Sequence, residues 1–189
     1  MNKNIVYNQL IEVGTSLIQQ YGFNAFSFKD LAVQLGIKTS SVHYYFPTKI
    51  DFVCKVVKRY SENMELFFQN LSNGPDIDLA LFFQKITETT LSAENKMCLG
   101  GILASEMLSV NQAVQEVVKQ LFIVIENGLI KILEQGKAEN LFHFTEPVVT
   151  MAHIIVSNFE GALLLARLYH DPKRLETTFL FIKHYIFKT

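Results

Sequence analysis

A chain of 189 residues fits one large domain or two small ones. With 49% hydrophobic and 19% charged residues it can bury a core, which excludes a disordered chain, and two cysteines exclude a disulfide scaffold. The net charge of −1 excludes a polycation, yet the charge is uneven: residues 1–60 carry seven Lys/Arg against three Asp/Glu, a net +4, and the remainder carries −5. That asymmetry points to an anionic partner at the N-terminal end.

The pattern reads as helix throughout. Leu10, Val13, Gly14, Leu17, Ile18 and Tyr21 recur at helical spacing, and Gly22 follows as a stop. Ser27 and Asp30 form a capping box that opens a short second helix ending near Gly36. A third short helix covers about residues 40–46, before Pro47. Thr48 and Asp51 form another capping box, opening a long fourth helix to about Leu71, and "SNGPD" (72–76) is a loop. Helices are expected at about 77–92, 97–109 and 111–139, with Gly128 and Gly136 bending or ending the last of these. Thr145 and Pro147 start a helix that runs to Tyr169, "HDP" (170–172) turns the chain, and a final helix closes it. Residues 148–166 are apolar, but His153, Asn158 and Glu160 lie within them, so a buried helix is expected there and not a membrane span. "MNKNIVYNQL" has no apolar signal region, which suggests a cytoplasmic protein with reduced thiols.

The short second and third helices meet the demands of a helix-turn-helix. Counting from Phe28, position five is the small Ala32 and position nine is Gly36, which permits the left-handed turn. Leu31, Leu35, Ile37, Val42 and Tyr45 fall on the inward phase. In "TSSVHYYFPTKID" (39–51), Val42, Tyr45 and Phe46 share one face, so Ser40, Ser41, His43 and Tyr44 point outward. Small hydroxyls allow close approach to base edges, and His43 and Tyr44 reach phosphates or a thymine methyl. Lys49, in the first turn of the fourth helix, places an ammonium beside free backbone N–H groups suited to one phosphate. Thr39 is a candidate helix cap. Lys29 completes the set of candidate DNA-binding residues.

Residues 9–53, "LIEVGTSLIQQYGFNAFSFKDLAVQLGIKTSSVHYYFPTKIDFV" with their preceding Gln, resemble the DNA-binding domain of TetR/AcrR transcriptional regulators. "NFEGALLLARLYHDP" (158–172) resembles that family's penultimate helix. Two positions depart from the family pattern: Lys38 and Thr39 stand in reversed order, and Ser40 replaces a Gly or Ala. The resemblance implies an all-α fold, with a helix-turn-helix domain at residues 1–47 and a larger helical domain at 48–189. That larger domain would bind a small effector and form a homodimer through the last two helices. It further implies double-stranded DNA with a palindromic operator as partner, and an effector that tilts the fourth helix.

The Phe-rich second part suits an apolar or aromatic effector, with Phe67, Phe83, Phe122, Cys98, His153 and Asn158 as candidate lining and Glu160 as a further polar contact. Leu163, Leu164, Arg167, Phe179 and Ile182, with Leu168 and Ile186, are candidates for the dimer interface. Cys98 near a helix start beside Lys96 offers an alternative, a thiol that senses electrophiles or oxidants. A helical carrier of hydrophobic molecules without a DNA role is the other. No nucleophile–base arrangement, metal spacing or Gly-rich phosphate loop is present in the sequence, so no enzyme activity, metal or cofactor is expected.

Overall fold

The computed structural model describes residues 3–72, 84 and 96–187. Among these residues it is all-helical, with eight α-helices and no strand. They are α1 (Lys3–Tyr21), α2 (Phe28–Leu35), α3 (Thr39–Tyr45), α4 (Lys49–Ser72), α5 (Leu99–Ser105), α6 (Gln112–Ala138), α7 (Val148–Tyr169) and α8 (Lys173–Ile186). The helix expected at 77–92, and Phe83 with it, lies outside the described residues. The chain divides into two compact units: Met1–Glu62 with Leu99–Leu121, and Asn63–Cys98 with Phe122–Thr189.

The first unit is built around one ring. Phe52, on the first turns of α4, is fully buried. Phe46 and Phe28 meet it edge-on at 4.8 and 5.7 Å between centroids, and Phe26 meets it at a tilt at 6.2 Å. Gly14 of α1 lies against the same ring, and a methyl there would come within 2.1 Å of its tip. Glycine at position 14 is therefore a packing requirement. Edge-to-face rings of this kind add to their large apolar burial. Val6, Leu10, Ile11, Leu17 and Ile18 form the buried stripe of α1, and α1 packs against both α2 and α5.

In the second unit α7 packs on α8. The buried side of α7 consists of Met151, Ala152, Ile155, Phe159, Ala162, Leu163 and Ala166, an i, i+4, i+7 stripe. Length and hydropathy alone would let α7 cross a membrane. Its one-sided burial against α8 makes it a core helix. The residues between α6 and α7 are tied to the end of α8: His143 N–H donates to the Ile186 carbonyl (2.8 Å), Phe142 packs edge-on against Phe187 (5.0 Å), and the Tyr185 hydroxyl donates to Glu146.

Helix α6 runs from Gln112 to Ala138, close to the expected span, and neither Gly128 nor Gly136 ends it. These glycines admit rings: a methyl at 128 would lie 2.2 Å from the Phe68 ring, and one at 136 would lie 2.1 Å from the Phe142 ring. The helix-weakening cost of glycine, about 1 kcal/mol each, is offset by the close approach of two phenylalanines.

Candidate nucleic-acid interface

The second helix starts as its sequence dictates. Ser27 is the N-cap; its hydroxyl accepts from the Asp30 N–H while Asp30 accepts from the Ser27 N–H (2.7 Å). The Ser27 hydroxyl and N–H hold the Asp30 carboxyl below its ordinary range. Helix α2 stops at Gly36, in the left-handed region at φ 63°, and the Ile37 N–H closes back to the Ala32 carbonyl (3.0 Å). Ala32 is 3% exposed, and α2 and α3 pack together.

Helix α3 follows with Val42 fully buried and Phe46 just beyond it at 2% exposure. Leu35, Ile37 and Tyr45 are half-buried. Tyr45 and Phe46 take the Tyr7 ring of α1 between them, at 6.3 and 5.3 Å. With that side of α3 held down, Ser40, His43 and Tyr44 are exposed, and Thr39 and Ser41 are half-buried. Lys29 is exposed on α2. The Tyr44 ring stands edge-on to Tyr45 at 5.2 Å and remains 67% exposed. The His43 ring is aimed by Phe28, edge-on at 5.0 Å, with Nδ1 3.4 Å from the Pro47 carbonyl. This is a pre-set outward surface on a seven-residue helix.

Two residues are placed differently from the expectation. Thr39 is the first residue of α3, not its cap; the N-cap is Lys38, and no side chain caps the helix. Lys49 does begin α4, above a complete Thr48–Asp51 capping box, but its ammonium is turned inward. It donates to the Phe26 carbonyl and lies over the Phe26 and Phe23 rings, at 4.3 and 4.7 Å. Burial there lowers its pKa, while the Glu106 and Asp30 charges pull the other way. Its side chain belongs to the support of the α1–α2 loop. Glu106, which sequence reasoning did not single out, supports the same loop and accepts from the Phe23 and Asn24 N–H groups and from the Asn24 side chain. An acid 82 residues downstream of its partner leaves no local pattern to read.

The effector candidates are spread over the second unit. Phe67 is half-buried and edge-on to Phe68, and Phe122 is half-buried. His153 and Asn158 are exposed: the first lies 3.8 Å from Glu126, and the second turns back to the Ile154 carbonyl of its own helix (2.8 Å). Cys98 and Glu160 do meet. The Cys98 thiol hydrogen-bonds the Glu160 carboxyl, whose Oε2 is sealed from solvent with no partner among the described residues. Burial pushes the Glu160 carboxyl above its usual range, and the thiol contact opposes that in part. Of the proposed interface residues, Leu163 and Ile182 (2% and 4% exposed) belong to the subunit's own core. Arg167 and Phe179 are half-buried, and Leu164 is 56% exposed. Leu164, Leu165, Leu168, Leu180 and Phe181 are exposed apolar side chains of α7 and α8.

A three-helix head with a helix-turn-helix and an outward hydroxyl-rich helix, joined to a larger helical unit, defines a DNA-binding transcriptional regulator of helix-turn-helix type. Residues 10–53 match the family model of bacterial regulatory proteins, tetR family, and residues 78–179 match that of the LmrA/YxaF-like transcriptional regulator C-terminal domain. A TetR transcriptional regulator from Legionella pneumophila is 36% identical over 98% of this chain and 100% of its own, with a TM-score of 0.89. A TetR-family regulator from Agrobacterium tumefaciens is 26% identical over the same shares, with a TM-score of 0.90. The reduced form of Escherichia coli NemR shares the fold at 18% identity, over 96% of this chain and 97% of its own, with a TM-score of 0.85. No curated protein sequence matches the chain. The chain belongs to the TetR family of transcriptional regulators.

Proposed function

We propose that this regulator is a homodimeric repressor that sits on a palindromic operator in the cytoplasm and is released by a small apolar or aromatic effector. The observation that carries the reading is α3 itself: Val42 and Phe46 anchor it, and Ser40, His43 and Tyr44 face outward from it. Ser40 and Ser41 approach base edges. Tyr44, His43, Thr39 and Lys29 serve the phosphates and flanking groups. For Lys49, the backbone N–H at the start of α4 takes the phosphate role that its inward side chain does not. The effector part of the reading draws on the sealed Glu160 oxygen, which has no partner among the described residues and which a bound molecule would satisfy.

Selection of duplexes from a random pool by the purified protein tests this. An inverted repeat is expected, with half-sites about 34–36 Å apart or a multiple of that spacing. Recovery of no preferred duplex at low salt would refute the reading. The rival thiol sensor finds a carboxyl group beside Cys98, which disfavours the thiolate. Cys98→Ser is accordingly expected to keep DNA release by oxidants unchanged, and a lost response would revive the rival.

A further inference from the structure

The α1–α2 loop is gripped from two sides by side chains remote in sequence. On one side stands Glu106, in the turn just after α5. Its Oε2 accepts from the Phe23 N–H, and its Oε1 accepts from the Asn24 N–H (3.4 Å) and the Asn24 side chain (3.0 Å). The other hydrogen of that amide goes to the Ser109 hydroxyl (2.9 Å). The turn is stiffened by its own bonds, since the Ser109 N–H and hydroxyl both donate to the Glu106 carbonyl (2.8 and 2.9 Å). Gly22 completes the seat. It sits at φ 80°, and a methyl on it would lie 2.6 Å from the Glu106 carboxylate. On the other side Lys49 takes the Phe26 carbonyl and covers two rings of the loop. An anion thus holds the loop's N–H groups, a cation holds its carbonyl, and the two charges attract.

We propose that Glu106 is a positioning residue for DNA binding, its carboxylate clamp on Gly22–Asn24 setting the pose of α2 and therefore of the α3 surface. The loop ends at the Ser27 cap, α2 begins one residue later, and α3 packs on α2. A displaced clamp leaves α2 no fixed starting point. Glu106 also follows one of the points at which the chain crosses from the second unit to the first. The second unit gives up the chain at Cys98, which touches Glu160, and α5 spans the residues from Leu99 to Ser105 directly before Glu106. The positioning role rests on the DNA-binding reading and requires no effector.

The experiment compares Glu106→Gln and Asn24→Ala with the parent chain, using a duplex the parent selects from a random pool. Gln keeps one acceptor and places an N–H against donors, so affinity should fall roughly tenfold; Asn24→Ala removes only the side-chain bonds, and a two- to threefold loss is expected. The salt dependence of binding should keep its slope in both, since no phosphate contact is removed. Amide exchange at residues 22–26 should quicken in Glu106→Gln while helix content stays at the parent level. The proposal is overturned if affinity is unchanged in both variants, if binding is lost only in proportion to unfolded protein, or if the slope falls as for a lost phosphate contact. If the parent binds no duplex, the DNA reading fails separately. Exchange then decides the clamp, and parent-like rates at 22–26 in Glu106→Gln refute it.

Discussion

At the scale of single residues, three positions have environments that fix what a replacement does. Gly14→Ala drives a methyl into Phe52. A stability loss of about 1–3 kcal/mol is expected, read as a lower denaturant midpoint with little change in slope. Lys49→Ala removes a charged donor's hydrogen bond to the Phe26 carbonyl and two ring contacts. It should cost roughly 1–3 kcal/mol of stability while leaving the salt slope of DNA binding in place, and a slope reduced by about one would show that the ammonium meets a phosphate. Glu160 is an acid whose folded pKa is raised. The folded state then holds the proton more tightly than the unfolded one, so stability falls as pH rises from the ordinary carboxylate range through the elevated value. Glu160→Gln should therefore stabilise the protein at neutral pH, by about 1 kcal/mol. That gain should vanish when unfolding is repeated near pH 4.

Among the elements, those whose signals are local were legible in the sequence. Both capping boxes, Ser27–Asp30 and Thr48–Asp51, form as their spacing predicts. The Gly36 turn and the outward phase of α3 do so too, because each depends on residues within four positions of one another. Gly128 and Gly136 read as helix breakers because their partners, Phe68 and Phe142, lie on other segments and only the fold joins them. Glu106 escaped notice for the same reason. The apolar face of α7 was visible as a composition, but which leucines face inward depends on α8: Leu163 turns into the core, and Leu164, its neighbour, does not. Helix α6 offers a check on its own packing. Gly128→Ala should destabilise despite the higher helix propensity of alanine, because Phe68 must give way. A rise in unfolding temperature would contradict the packing explanation.

For the whole molecule, the exposed apolar side chains of α7 and α8 matter most. Leu164, Leu168, Leu180 and Phe181 are each more than half exposed, a cluster suited to a twofold four-helix seam. Leu168→Glu combined with Phe181→Glu should yield monomers in sedimentation, with operator affinity reduced by two or more orders of magnitude as the two heads lose their tether. In the homodimer proposed above, one face of α7 is the subunit's interior and the exposed leucines of the opposite face are covered by the partner. Dilution would expose that second face, so resistance to heat becomes a function of abundance. A cell holding few copies of this regulator would hold not only less of it but a more fragile form, and a melting temperature that climbs with protein concentration is the signature to seek.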